Sequence, residues 1–336
     1  MTVSLIVVNY HASGALKRML STVEGVDEVV IVDHSEDDAE FAVLQGLGAD
    51  CVVNQVNAGY GAGLNRGVKE SSGDILLLAN PDLLLQPGTV GALVSALDGP
   101  DVGIAAPQLV WDEAGRWSVP QAPDTGWWGE LEARCSLWTA RRRYFKEQLR
   151  LWQAEAPTAT DLVSGTLMAV TRSTFRAAGG FDPKYFLFYE ENDFCLRVRR
   201  LGLFPVVVPD ALVCHAIGVS ADQEAAEYFG PSLERFRRLW MPAWFTTFWP
   251  DAMPPGRSRV RSVDPQRAGE GARWVISPTN RFMPLVRGPL VADADPTDVG
   301  FRPSKAAESW VLGIMEGLRV RTVERATLNV QRSVSK

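Results

Sequence analysis

An α/β fold with a mostly parallel central sheet flanked by helices is predicted by three features of this 336-residue sequence. Short β-branched runs alternate with helix-like intervals over the first hundred residues. One run, Ile75 to Ala79, is apolar at every position, as expected of a strand covered on both faces. Acidic residues follow directly behind two of the runs, where open α/β sheets gather their ligand sites. Residues 1–220 read as one catalytic domain and residues 221–336 as a helical and irregular C-terminal extension.

The elements follow in order. Val3 to Tyr10, Val26 to Asp33 and Ala49 to Val53 read as strands, with helices over Ala15 to Thr22 and Ala39 to Gly46 between them. The run Ile75 to Ala79 ends on Asn80-Pro81-Asp82, which leaves Asp82 at a strand's carboxyl end. A helix near Gly88 to Leu97 and a strand over Val102 to Leu109 come next, followed by a Trp-bearing stretch, Trp111 to Trp152, with a loose pattern. Ser164 to Thr171 is a strand, Ser173 to Ala178 a short helix stopped by Gly179-Gly180, and Glu190 to Leu201 a helix opened by acids. A strand over Leu203 to Val208 leads to Val213-Cys214-His215. Tyr228 to Trp249 mixes arginines with Phe and Trp, Asp251 to Ala272 is a linker rich in Pro, Gly and Arg, and Ser304 to Ser333 has the spacing of a terminal helix.

Bulk properties exclude several functions. The formal charge of −6 provides no broad basic face for phosphate backbones, so nucleic acid is not expected as a partner. Met1 to Ser4 runs into an apolar strand without the basic start of a secretory signal, and no stretch reaches the ~20 apolar residues of a spanning helix. Cys51, Cys135, Cys195 and Cys214 lack the paired spacing of a zinc site and read as free thiols in a reducing cytoplasm.

The segment Tyr185 to Arg197 concentrates aromatic side chains, an arginine and the carboxylates of Glu190, Glu191 and Asp193. Carboxylates beside apolar surface are expected to have raised pKa values, which makes them candidate general bases. The glycines of Gly59 to Gly67 match part of a dinucleotide fingerprint, but they arrive after the third strand instead of the first; a plain turn leading into a helix fits as well. Asp33 and Asp82 stand at equivalent strand ends, one suited to a ribose or base and the other to a metal. His215 comes just beyond a strand, and an Asp plus His site would suit Mn²⁺ or Mg²⁺ completed by phosphates and water. His11 and His34 flank the first two strand ends without an assigned role.

Taken together, the order of these segments resembles family 2 glycosyltransferases of the GT-A fold, most closely the rhamnosyltransferase-like branch. The matching pieces are Ser4 to Tyr10, Val32-Asp33, Asn57 to Gly67, Asn80-Pro81-Asp82, Ser164-Gly165, Gly179 to Asp182, Glu190 to Asp193 and His215. The resemblance implies an inverting enzyme that moves a sugar, with rhamnose favoured, from a nucleotide diphosphate to a hydroxyl of a glycan or lipid-linked saccharide. It implies nucleotide contacts from Asn9, Asp33, Gly59, Gly61, Asn65 and Asn80, and a divalent metal, Mn or Mg, on Asp82 and His215. Glu191 occupies the position of the family's catalytic Asp, with Glu190 and Asp193 as neighbouring alternatives. Arg197 would hold one of these carboxylates or form an ordinary surface pair. Two rival readings remain from the residues alone: a non-catalytic nucleotide-sugar binding protein, and a glycoside hydrolase using Glu190 and Asp193. Residues 228–249 suit either the core of the appendage or peripheral contact with the inner face of a membrane, and the terminal helix either a homodimer interface or a cover for the sheet.

Overall fold

Strands β1 (Val3–Asn9) and β4 (Ile75–Ala79) run parallel in the middle of the sheet, and every residue of both is buried. The computed structural model describes residues 1–112, 115, 118–121, 129, 131–132, 135–215, 223–248, 273–277, 286–289, 310–316 and 319–326. Around the central pair lie β2 (Glu28–Asp33), β3 (Cys51–Asn54), β5 (Leu83–Leu85), β6 (Val102–Val110), β7 (Thr158–Ala159), β8 (Leu167–Thr171) and β9 (Phe204–His215). Their order is β3-β2-β1-β4-β8-β6-β9-β5, with β7 also on β9. The sheet is more mixed than expected: β1, β2, β3 and β4 are parallel, as are β6 and β9, but β8, β5 and β7 run against their neighbours.

Reversal of β8 has a functional result. Its first residue, Leu167, pairs with the last of β4, Ala79, so the preceding Ser164-Gly165-Thr166 lies at the carboxyl ends of the parallel strands. Asn80 N–H continues this ladder to the Thr166 carbonyl at 2.9 Å.

The strand alternation produces two cores. Leu5, Val7, Ile31 and Leu77 pack on one face, with Ile6, Val8, Val30, Leu76 and Leu78 on the other. The covering helices are α1 (Ser13–Leu20), α2 (Asp38–Gln45), α3 (Tyr60–Glu70), α4 (Thr89–Ala96), α5 (Leu137–Trp152), α6 (Arg172–Ala177), α7 (Glu190–Arg200), α8 (Gln223–Trp240) and α9 (Ala243–Phe248). Asp37 caps α2 through the N–H groups of Ala39 and Glu40. α1 lacks a cap of its own; Glu40 reaches across from α2 and accepts from Ser13 N–H and hydroxyl, both at 2.8 Å. Helix α5 forms inside the Trp-bearing stretch, where the sequence pattern had loosened.

The expected terminal helix is corrected. Trp310–Glu316 and Arg319–Ala326 are strands β12 and β13, joined antiparallel to β10 (Arg273–Ser277) and β11 (Val286–Pro289) in the order β11-β10-β12-β13. The apolar spacing there satisfies a helix and a strand alike. Gly313 and the β-branched Val311, Ile314, Val320, Thr322 and Val323 favour the strand. The linker Asp251 to Ala272 lies outside the described residues.

Two glycines separate packing from propensity. A Cβ on Gly67 in α3 would overlap Ile6 Cγ2 and lie 3.3 Å from Val32 Cγ2, whereas Gly91 in α4 has nothing within 4 Å. Gly67→Ala is expected to destabilise by about 1–3 kcal/mol through overpacking. Gly91→Ala should stabilise by up to ~1 kcal/mol through helix propensity. Urea unfolding of both variants checks the contrast.

Candidate active site

A carboxylate and an imidazole meet because a three-residue strand turns back along the sheet. After β4 the chain passes through Asn80-Pro81-Asp82 into β5, which pairs antiparallel with the end of β9 so that Leu83 faces His215. That register brings Asp82 Oδ1 to 3.5 Å from His215 Nε2, with both side chains largely buried. His215 is therefore the last residue of β9, where the sequence reading put it just beyond a strand. Asn80 is partly exposed at the same end.

Facing this pair is the first turn of α7. Glu190 is 4 % exposed and Glu191 is more open, and among the described residues Oε2 of each has no hydrogen-bond partner. Burial pushes both carboxyls above the ordinary glutamate value, and the charge of Glu191 lifts Glu190 further. Gly165 fits against Glu191; a Cβ there would lie 3.1 Å from Glu191 Cβ. Tyr60, at the start of α3, donates its hydroxyl to the Gly165 carbonyl at 3.3 Å. Burial, together with Glu190, Glu191 and Asp82, raises its phenol well above the usual range, so it stays a hydrogen-bond donor. Behind the pair, burial pushes the Cys195 thiol up to about 12, leaving it inert.

Asp193 is a different kind of acid. It is 3 % exposed and receives Arg197 Nε at 2.8 Å and the Trp240 indole N–H at 2.8 Å. Arg197 also donates to the carbonyls of Ala178 and Gly180, the latter at 2.5 Å. Arg197 is thus a bridge between α7 and the Gly179-Gly180 turn, and both carboxylate oxygens of Asp193 are engaged.

The other predicted contacts divide in the same way. Asn9 donates to Asp33 Oδ1 at 2.9 Å and Glu40 Oε1 at 3.1 Å, and accepts from Ala12 N–H at 3.1 Å. Asp33 also accepts from Ser35 N–H and hydroxyl. Both side chains are fully buried and form the joint between β1 and β2. Burial tends to raise the Glu40 carboxyl, but the bonds from Ser13 and Asn9 prevail and hold it below the ordinary value.

The glycines at the start of α3 allow close packing against neighbouring elements. Gly59, at φ +98°, abuts the Phe186 backbone; a Cβ on Gly61 would sit 3.0 Å from Phe181 Cβ and one on Gly63 2.7 Å from His34 Cε1. Asn65 is likewise occupied, clasping Phe181 through its carbonyl at 2.8 Å and its N–H at 2.9 Å. His34 is buried at the end of β2, while His11 is exposed.

A sequence model of glycosyltransferase-like family 2 matches residues 2–239. The chain belongs to that family. This glycosyltransferase is 29 % identical over 250 residues to the N-acetylglucosaminyl-diphospho-decaprenol L-rhamnosyltransferase of Mycobacterium tuberculosis (strain ATCC 25618 / H37Rv), covering 67 % of this chain and 79 % of that protein. It is 23 % identical over 223 residues to Rhamnosyltransferase WbbL of Escherichia coli (strain K12), covering 62 % and 80 %. Among solved structures, GalNAc-T7 with UDP, GalNAc and Mn²⁺ shares the GT-A fold at a TM-score of 0.54 and 16 % identity, over 74 % of this chain and 49 % of that one.

Sequence reasoning missed three residues of the transferase site: Tyr60, Glu40 and Trp240. Tyr60 lies inside the glycine-rich motif and was read only as part of it; Glu40 and Trp240 carry no local signal, since their partners are remote in sequence.

The raised Glu190 carboxyl makes the folded glycosyltransferase bind more protons than the unfolded chain between the ordinary value of 4.5 and its own. Stability contributed by this group therefore falls as pH rises through that window. Glu190→Gln is expected to raise Tm relative to the parent at pH 8 and to leave it nearly unchanged at pH 4, as read by scanning calorimetry.

Proposed function

We propose that the enzyme transfers a sugar from a nucleoside diphosphate donor to an acceptor hydroxyl by a single inverting displacement, with Glu191 as the base. The observation that carries this reading is the arrangement at one sheet end: a buried, unpartnered Glu191 carboxylate oxygen and Asp82 of the Asp82–His215 donor pair beside the same Tyr60. Glu191 takes the proton of the acceptor hydroxyl while that oxygen bonds to the anomeric carbon. The bond from the anomeric carbon to the diphosphate breaks, and the nucleoside diphosphate leaves.

Asp82 and His215 are the residues that would hold Mn²⁺ or Mg²⁺. Their donor atoms, a carboxylate oxygen and an imidazole nitrogen 3.5 Å apart, are of the kinds that Mn²⁺ would accept. Among the described residues no third His, Cys, Asp or Glu joins them, which leaves room for diphosphate oxygens and water. Such an ion, when bound, would neutralise charge on the departing diphosphate. The hydrolase reading loses support, because Asp193 is held by Arg197 and Trp240, and Glu190 and Glu191 are neighbours on one helix turn instead of flanking a bond.

Rhamnose is favoured as the donor sugar by the relatives named above, and a lipid-linked saccharide as the acceptor. Among the described residues no helix is long and apolar enough to cross a membrane. Tyr228, Phe229, Leu239 and Trp244 are exposed, in keeping with a peripheral approach to a lipid-borne acceptor.

Calorimetric titration with dTDP, UDP and GDP, with and without Mn²⁺, should show metal-dependent binding of one nucleotide that is lost in Asp82→Ala; absence of binding under every condition would sink the reading. Glu191→Gln should keep nucleotide binding and lower turnover by about 10²–10⁴-fold, the usual contribution of a general base. Glu191→Asp restores the family's residue but pulls the carboxylate back by one C–C bond. A loss of roughly 10²-fold in turnover is expected in a pocket shaped for Glu, measured as release of nucleoside diphosphate.

A further inference from the structure

Helix α8 touches every residue of the bend that launches the acidic helix. The Tyr228 ring stacks on Phe186 at 4.1 Å, and the Ser232 hydroxyl donates to the Leu187 carbonyl at 2.8 Å. Phe229 meets Phe188 edge-on at 5.7 Å, and Phe229 and Phe236 flank Tyr189 at 5.4 and 5.2 Å. That bend is strained. Phe188 and Tyr189 have φ of +70° and +67°, left-handed values that bulky side chains adopt only where the surroundings over-determine them. Tyr189 is also the residue from which α7 starts, so its conformation sets the direction of Glu190 and Glu191.

A second hold lies one turn further on. The Trp240 indole donates to Asp193 at 2.8 Å, and Arg200 covers the Trp240 ring at 4.0 Å. Asp193 is on α7 three residues past Glu190 and two past Glu191. Arg235 of α8 completes the grip by pairing with Asp182.

The geometry points to α8 as the positioning element of the acidic pair, with Trp240 acting through Asp193 to fix the rotation of α7 and so the aim of Glu191 at the acceptor. This inference rests on the reading of Glu191 as the base. The Asp82–His215 pair, which the functional reading assigns to the diphosphate end, is built separately, by the β5 return along the end of β9. Disturbing α8 should therefore impair the chemical step and leave nucleotide binding alone.

The test uses the full chain and two readouts. One is the Kd of the nucleoside diphosphate that binds the parent enzyme with Mn²⁺. The other is release of that nucleoside diphosphate from its rhamnose or glucose conjugate, with water in the acceptor's place. Trp240→Phe keeps the ring and removes the N–H; turnover at saturating donor should fall at least tenfold, with Kd within twofold of the parent. Ser232→Ala removes one hydroxyl from the other end of the grip and should show the same split, at three- to tenfold. Because Trp240 acts through Asp193, Trp240→Phe added to Asp193→Ala should lower turnover no further. Parental turnover in both single variants would overturn the inference, as would a parallel loss of binding and turnover that tracks a lowered Tm. Failure of the parent itself to bind any of the three nucleotides would instead strike at the functional reading on which this one rests.

Discussion

Helix α3 lies against β1 and β2 at a separation that only missing side chains allow. Gly63 and Gly67 face Val8, His34, Ile6 and Val32, Gly61 faces Phe181 and Glu190, and Gly59 faces the Phe186 backbone. One helix therefore touches the sheet, the turn ahead of the aromatic bend and the acidic helix together. Asn65 in its middle and the Tyr60 N–H at its start add hydrogen bonds to Phe181 and Phe186. A methyl group at any of the four positions would push two elements apart.

The acids of the cleft fall into two groups with opposite physics. Asp33, Asp182 and Asp193 accept several hydrogen bonds each and serve as fixed anchors. For Asp182 burial works against ionisation, yet the Arg235 pair and the Lys184 N–H prevail and keep its carboxyl below the ordinary range. Glu190 and Glu191 are buried with fewer partners, and their carboxyls rise. Carboxylates left under-bonded in a folded protein are expensive, and they occur where proton transfer requires them.

Much of this was legible in the sequence. Strand β4 matched its apolar run residue for residue, and the first three strands and two helices lay within about two residues of their expected bounds, the ordinary looseness of element ends. Asp82 at a strand end could be read from local pattern, because the apolar run and the turn behind it are contiguous. Its neighbour His215 could not, since the antiparallel return of β5 along β9 is a tertiary fact; only the resemblance joined them. Glycines proved ambiguous for a physical reason: absence of a side chain signals close approach without saying of what, and here the approaching surface is the protein's own sheet. The C-terminal strands failed for a similar reason, because apolar residues at 310, 311, 314 and 315 satisfy two periods at once.

The contacts that build the cleft also span the chain. Asn65 and Phe181 are 116 residues apart and Tyr60 and Gly165 are 105 apart, while the β5–β9 register ties the edge strand β5 to the strand that comes last in the chain of the main sheet. Closing such loops carries an entropic cost that local helices and the β1–β2 pair do not bear. The cleft therefore exists only once segments far apart in sequence have come together. A nascent chain that has already formed its amino-terminal strands holds Asp82 without its His215 neighbour until the last strand of the main sheet has arrived.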